Sequence, residues 1–137
     1  MQYVVDASVT IALSMPDEAS EYARRMLVSL GDDGQMLVPP IWVFEVANTL
    51  VVARRRSRLA DSAAIGVTAL LQEMPIAVVD LSTAEVLREV ASIATTNNLS
   101  AYDASYLYLA IREGVPLATL DIRLRSAAAS VGCDLFE

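Results

Sequence analysis

Apolar residues fall along the chain in two patterns: short runs, and longer stretches in which they return every three or four positions. Gln2 to Val5, Met36 to Val38, Ile76 to Val79 and Pro116 to Leu120 are runs of strand length, and Asp134 to Phe136 predicts a short edge strand. Helical spacing covers the segments between them. It predicts helices over Ser8 to Ser14 and over a stretch after Pro16 with Asp17, Glu18 and Glu21 in its first turn, closed by the turn Gly31 to Gly34. Pro39 and Pro40 stop the second strand and open a long helix over Ile41 to about Arg56, and Asp61 begins another that runs to Met74. Ser82-Thr83-Ala84-Glu85 is a capping box for a helix ending near Asn97 and Asn98. Ser100-Ala101-Tyr102-Asp103 has the same form before a helix stopped by Gly114, and a last helix spans Leu124 to Val131.

Apolar strands alternating with helices imply an α/β fold: a three-layer sandwich whose central, mostly parallel sheet of four to five strands is covered by helices on both faces. At 137 residues the chain is expected to form one domain over residues 1–137. No internal repeat or low-complexity tract interrupts the pattern, and no uncharged run approaches the roughly 18 apolar residues of a spanning helix, so a soluble, cytoplasmic protein without membrane association is expected. A lone cysteine, Cys133, cannot form an internal disulfide and is expected to be a small buried residue.

Composition then narrows the chemistry. The chain has no histidine, and all 10 basic residues are arginine. Ser-His-Asp and Cys-His nucleophilic catalysis, imidazole acid/base chemistry and His-rich zinc sites are excluded, as is a lysine-dependent Walker phosphate loop. Seventeen acidic residues give a net charge of −7, which argues against polyanion binding by bulk charge. Carboxylate chemistry remains. In parallel α/β sheets ligands collect at the carboxyl ends of the strands, where Asp6 ends Tyr3-Val4-Val5 and Asp121 ends Leu117-Ala118-Thr119-Leu120. Glu45 and Asp103 lie in helices so apolar around their circumference that burial is expected. A buried carboxylate needs a partner or gives up its charge, and with few basic residues nearby a hard divalent cation, Mg²⁺ or Mn²⁺, would serve several acids together. Such a site suits phosphodiester hydrolysis by an activated water. Each acid also has a purely structural explanation: Asp6 and Asp121 as helix N-caps, Asp103 as a capping-box member, Glu45 as a solvent-facing helix residue.

Four segments carry a resemblance: Val4-Val5-Asp6-Ala7-Ser8, Phe44-Glu45-Val46-Ala47-Asn48, Ser100-Ala101-Tyr102-Asp103-Ala104-Ser105-Tyr106 and Ala118-Thr119-Leu120-Asp121. In order and spacing the chain resembles the PIN-domain ribonucleases, and among them the VapC toxins of toxin–antitoxin pairs. The resemblance implies a PIN-like fold in which Asp6, Glu45, Asp103 and Asp121 hold one or two Mg²⁺ or Mn²⁺ ions, with Ser8, Asn48 and Thr119 in support. It further implies hydrolysis of RNA to a 5′-phosphate and a 3′-hydroxyl, a homodimer, and a cognate antitoxin that occupies the active-site groove. Asp80 also ends a strand but has no counterpart among these motifs.

Two other readings fit less of the chain. An aspartate-nucleophile phosphatase would need a second acid two residues after Asp6, where Ser8 stands, and a lysine. A non-catalytic PIN-like module that binds RNA or protein would not need all four acids. Arg54, Arg55, Arg56 and Arg58 crowd a helix end, where they compensate the macrodipole or contact RNA or an antitoxin; Arg123 and Arg125 follow Asp121 closely enough to do the same. Tyr102, Tyr106 and Tyr108 are aromatic enough to stack bases, but Tyr102 and Tyr106 share a helical face and are expected to pack.

Overall fold

The computed structural model describes residues 1–137. Four strands, β1 (Gln2–Val5), β2 (Gln35–Val38), β3 (Ile76–Val78) and β4 (Leu117–Ala118), form one sheet in the order β3-β2-β1-β4, every pair parallel. Val4 pairs with Leu37 on one side and Leu117 on the other, so β1 is central and buried by both neighbours. Its side chains alternate between two cores: Val4 faces a cluster with Leu37, Trp42, Tyr106, Leu107 and Leu124, while Tyr3 and Val5 face Val9, Ala23, Met26 and Met36. The expected three-layer α/β arrangement with a parallel sheet is therefore present.

The second of these layers is built by α1 (Ala7–Ser14) and α2 (Glu21–Leu30). The first is built by the start of α3 (Ile41–Arg55), by α6 (Ala101–Glu113) and by α7 (Ile122–Ser130). α4 (Asp61–Glu73) packs through Ala64 and Val67 on Met15, Ala53 and Leu59. α5 opens with a π-wound stretch, Glu85–Val90, that continues into Ala91–Asn97 and meets α6 through Val90, Ala94 and Ala104. The capping box at its start is reciprocal: the Glu85 N–H donates to Ser82 Oγ (3.2 Å) and the Ser82 N–H to Glu85 Oε2 (2.7 Å). That backbone bond, followed by the Arg112 guanidinium and the Ser82 and Tyr108 hydroxyls, holds the Glu85 carboxyl down at about 2.

Several boundaries differ from the sequence expectation, each for a visible reason. α2 begins at Glu21, not Asp17, because Ser20 Oγ accepts the Ala23 N–H, while Asp17 and Glu18 turn to Arg58, each at 2.8 Å. β4 keeps only two of the five residues Pro116 to Leu120, because the Thr119, Leu120 and Asp121 N–H groups go to side-chain oxygens instead of a neighbouring strand. α7 starts at Ile122 rather than Leu124, since Asp121 caps it. The edge strand at Asp134 to Phe136 reduces to a single parallel bridge between Leu117 and Leu135, and β3 stops at Val78.

Burial also departs from expectation. α3 buries Trp42, Val46 and Ala53 but leaves Val43, Phe44 and Val51 exposed, so its apolar circumference is not evidence of full burial. Tyr102 and Tyr106 separate, Tyr106 entering the core and Tyr102 remaining exposed, and Cys133 is only partly buried. No helix is long and apolar enough to cross a membrane.

The start of α3 is tied to α1 by a buried bond in which Trp42 Nε1 donates to Thr10 Oγ1 (3.1 Å). Thr10→Val keeps the shape and removes the acceptor, leaving the indole N–H dry. A loss of about 1–3 kcal/mol is expected, the penalty of an unsatisfied buried donor. Urea unfolding followed by the fluorescence of Trp42, the sole tryptophan, measures it directly.

Candidate functional site

The strand order places β1 and β4 side by side, with β1 leading into α1 and β4 into α7, so their carboxyl ends frame a crevice of the kind that binds ligands in parallel sheets. Asp6 sits directly after the last residue of β1. Its N–H donates to Ala118 O (3.0 Å), which continues the ladder one residue beyond β1 and fixes where the side chain emerges. That side chain is 7 % exposed. Although Asp6 occupies the N-cap position of α1, its carboxylate makes no capping bond. Instead Asp6 Oδ2 accepts the Ser8 hydroxyl (2.6 Å) and the Thr119 hydroxyl (2.7 Å). Each hydroxyl is itself held from behind: the Leu120 N–H donates to Ser8 Oγ (3.1 Å) and the Asp121 N–H to Thr119 Oγ1 (3.0 Å). The loop after β4 is thus bonded to Asp6 through two hydroxyls.

Glu45, on α3, is half-buried, and Tyr106, wholly buried on α6, donates its hydroxyl to Glu45 Oε2 (2.7 Å). Asp103 lies one turn before Tyr106 on the same helix, with its backbone N–H capped by Ser100 Oγ (3.0 Å). Asp121 Oδ1 accepts the Arg123 and Leu124 N–H groups (2.8 and 3.1 Å), so this acid is an N-cap, as one sequence reading allowed.

Three of the acids share a pattern. Asp6 uses Oδ2, Glu45 Oε2 and Asp121 Oδ1 for these neutral donors, and the other oxygen of each receives no side-chain hydrogen bond. No buried side-chain oxygen is without a partner, so neither second oxygen is both fully enclosed and unsatisfied. None of the four acids forms an ion pair. Burial raises the Asp6 carboxyl above its ordinary range, against the pull of the two hydroxyls, and the charge of Asp103 adds to the rise. Burial raises Glu45 likewise, the Tyr106 bond opposing it and the charges of Asp6 and Asp103 reinforcing it. The charge of Asp103 therefore bears on Asp6, and the charges of Asp6 and Asp103 bear on Glu45, with no arginine paired to any of them.

Hard oxygens, no imidazole or thiolate, and an uncompensated buried carboxylate form a donor set that fits Mg²⁺ or Mn²⁺. The acids are gathered but not closed, since no three of them converge at ligating distance on one point. Asn48 is exposed, with no hydrogen bond to the cluster. Arg125 stacks over Tyr22, pairs with Glu137 at 2.9 Å and donates to the Thr119 carbonyl oxygen (3.4 Å), but bonds none of the four acids. Tyr22 in turn accepts the Thr119 N–H (3.3 Å) from behind the site. Arg123 is exposed and free of ion pairs, as are Arg55 and Arg56, whereas Arg54 pairs with Asp61 and Arg58 with Asp17 and Glu18. Sequence reasoning did not assign Tyr106 or Tyr22 to the site. Tyr106 carried a usable signal, its spacing three residues after Asp103; Tyr22 carried none.

Comparison with known proteins accords with this geometry. The family model described as PIN domain matches residues 3–130. Ribonuclease VapC3 of Pyrobaculum aerophilum is 36% identical over 124 residues, which is 90% of this chain and 92% of that protein. Among solved structures, PAE2754 from Pyrobaculum aerophilum superposes with a TM-score of 0.67 at 25% identity, covering 93% of this chain and 79% of that one. VapBC2 from Rickettsia felis, solved bound to a DNA fragment from their promoter, gives 0.68 at 13% identity, over 100% of this chain and 98% of that one, a likeness of fold.

The raised pKa values fix a sign. An acid whose folded pKa lies above its unfolded value lowers stability as pH rises through the interval between the two, and the full penalty stands above the folded value. In metal-free protein, Asp6→Asn is therefore expected to raise the melting temperature by a few degrees at neutral pH, because Asn still accepts both hydroxyls but carries no charge. The gain should shrink as pH falls toward the ordinary carboxylate range. Melting curves of both proteins in chelator across that range test it; a difference independent of pH would contradict the electrostatic origin.

Proposed function

The chain belongs to the PIN-domain family, as a relative of the VapC ribonucleases, and on that premise we propose that it is a metal-dependent endoribonuclease, the toxin of a toxin–antitoxin pair. The observation that carries the reading is the uncompensated carboxylate cluster at the carboxyl ends of β1 and β4: a buried Asp6 with no cation beside it, and a Glu45 whose carboxyl is raised by burial and by the charges of Asp6 and Asp103. Asp6, Glu45, Asp103 and Asp121 would hold Mg²⁺ or Mn²⁺, with Ser8 and Thr119 orienting Asp6. A divalent cation supplies, when bound, a lower pKa for water and positive charge against the phosphoryl oxygens. The residues of the chain do the positioning. Hydroxyl and backbone N–H donors fix Asp6, Glu45 and Asp121 without cancelling their charge, so the site is oriented before any ligand arrives. Asn48, one turn after Glu45, is exposed and would act from the rim. Arg123, beside Asp121 and free of ion pairs, is placed to meet an RNA phosphate, and Arg55 and Arg56 offer a second, more distant contact.

A cognate antitoxin and a second copy of this chain complete the reading. What supports them is apolar surface left uncovered: Phe44 and Ile65 are each 73 % exposed, with Val43, Val51 and Leu70 also open on α3 and α4. The proposed setting is the cytoplasm, where RNA, antitoxin and divalent cations meet.

Incubation of purified protein with a panel of single-stranded and hairpin RNAs is expected to give Mn²⁺- or Mg²⁺-dependent cleavage, abolished by EDTA, with a 5′-phosphate on the downstream fragment. Asp6→Asn, Glu45→Gln, Asp103→Asn and Asp121→Asn should each lower the rate by more than the roughly 10–100-fold that loss of an outer-shell partner costs. Asp121→Asn should do so while the protein stays folded, because Asn caps α7 as well as Asp does. Near-normal cleavage by all four variants would refute the carboxylate site, and metal-stimulated RNA binding with no cleavage would favour the non-catalytic module.

A further inference from the structure

We infer that Tyr106 is a positioning residue for the carboxylate site: its hydroxyl occupies Glu45 Oε2 and so commits Glu45 to offer a cation one oxygen, Oε1, from a fixed direction. The inference rests on the proposed metal-dependent reading. The hydroxyl is 2.7 Å from Glu45 Oε2 and joins helices α3 and α6 across 61 residues. Tyr106 is fully buried among Val4, Ala7 and Leu107, so its ring cannot swing aside. Glu45, with three rotatable bonds on a half-exposed helix, has no other side-chain partner and would otherwise be free to extend into solvent. Asp103 stands one turn before Tyr106 on the same rigid helix. One hydroxyl therefore ties Glu45 to the helix that carries Asp103.

The arrangement at Asp6 supports the same logic independently. There two hydroxyls share Oδ2 and leave Oδ1 without a side-chain donor. Neutral hydroxyls do at Glu45 and Asp6 what an arginine would do in a structural ion pair: they orient the carboxylate. Unlike an arginine, they leave its charge for a cation. A tyrosine aimed at Glu45 from the core is costly to place, because its hydroxyl must be desolvated and then satisfied by a single acceptor. A role confined to packing would be met equally by phenylalanine.

The test is Tyr106→Phe, which keeps the ring and removes only the donor. Mn²⁺ binding is measured on metal-free protein by isothermal titration and by the Mn²⁺-dependent rise in melting temperature, with RNA cleavage followed over the same Mn²⁺ range. The expected result is a tenfold or larger rise in the Mn²⁺ midpoint, in line with the cost of losing an outer-shell partner, and a larger drop in cleavage at low than at saturating Mn²⁺. Tyr108→Phe is the control: it removes a hydroxyl from the same helix, the one that donates to Glu85 (2.9 Å), and should lower the melting temperature without moving the midpoint. In a Glu45→Gln background, Tyr106→Phe should move the midpoint no further. Should Tyr106→Phe fail to fold, Glu45→Asp retains the charge but withdraws the carboxylate from the hydroxyl by one methylene, and it should show the same weakening. An unchanged midpoint in Tyr106→Phe, an effect additive to that of Glu45→Gln, or a normal midpoint in Glu45→Asp each overturns the positioning role. Wild-type protein that binds no Mn²⁺ would instead overturn the metal-dependent reading itself.

Discussion

A carboxylate 7 % exposed with no cation beside it is the constraint around which this molecule is arranged. Removing a charge from water costs several kcal/mol unless something answers it. At Asp6 the answer is two hydroxyls, each backed by a backbone N–H from the loop after β4. To supply those N–H groups the chain has to leave the sheet after Ala118, and to bring the loop within reach β4 has to pair directly with β1. The shortness of β4 follows in part from serving this acid, and the start of α7 at Ile122 follows from Asp121, which caps it.

The same principle recurs at a distance. Glu45 receives a tyrosine hydroxyl from the core and Asp121 receives two N–H groups from the helix it caps. In each case the donor is neutral and engages one oxygen only. Ion pairs would have been the more obvious way to hold acids in a chain with 10 arginines, and the protein does use them elsewhere: Arg54 with Asp61, Arg58 with Asp17 and Glu18, Arg112 with Glu85. Those pairs are on the periphery, where each adds little to stability. None of the four acids is paired with an arginine, so the native state carries a repulsion that a bound cation would relieve.

What could be read from the sequence was local. The capping box at Ser82, the Ser100 N-cap, the strands at Gln2 to Val5 and Met36 to Val38, and the two acids at strand ends depend on neighbours a few residues away, and the structure has them nearly where expected, although Asp103 does not return the bond that would complete a box at Ser100. The features that escaped were long-range. The end of β4 is set by the Ser8 and Tyr22 hydroxyls, which lie 112 and 97 residues from the N–H groups they accept. The entry of Tyr106 into the core and its reach to Glu45 depend on how α3 crosses α6, which periodicity does not encode. The exposure of Phe44 and Val43 escaped for the opposite reason: an apolar helix signals burial, yet this face of α3 meets nothing within the chain's own core. The cap-or-ligand alternative at Asp121 presumed exclusive roles, whereas a carboxylate has two oxygens and the cap uses one.

The central claim is that the second oxygens of these acids are held ready for a hard cation. Crystals of the protein soaked in Mn²⁺, with the ion located by its anomalous scattering, examine that claim most directly. The account predicts a peak bonded to Asp6 Oδ1 and reached by Glu45 Oε1, with Asp6 Oδ2 still accepting the Ser8 and Thr119 hydroxyls. A crevice without a peak, or an Asp6 carboxylate that has turned to pair with an arginine, would contradict it.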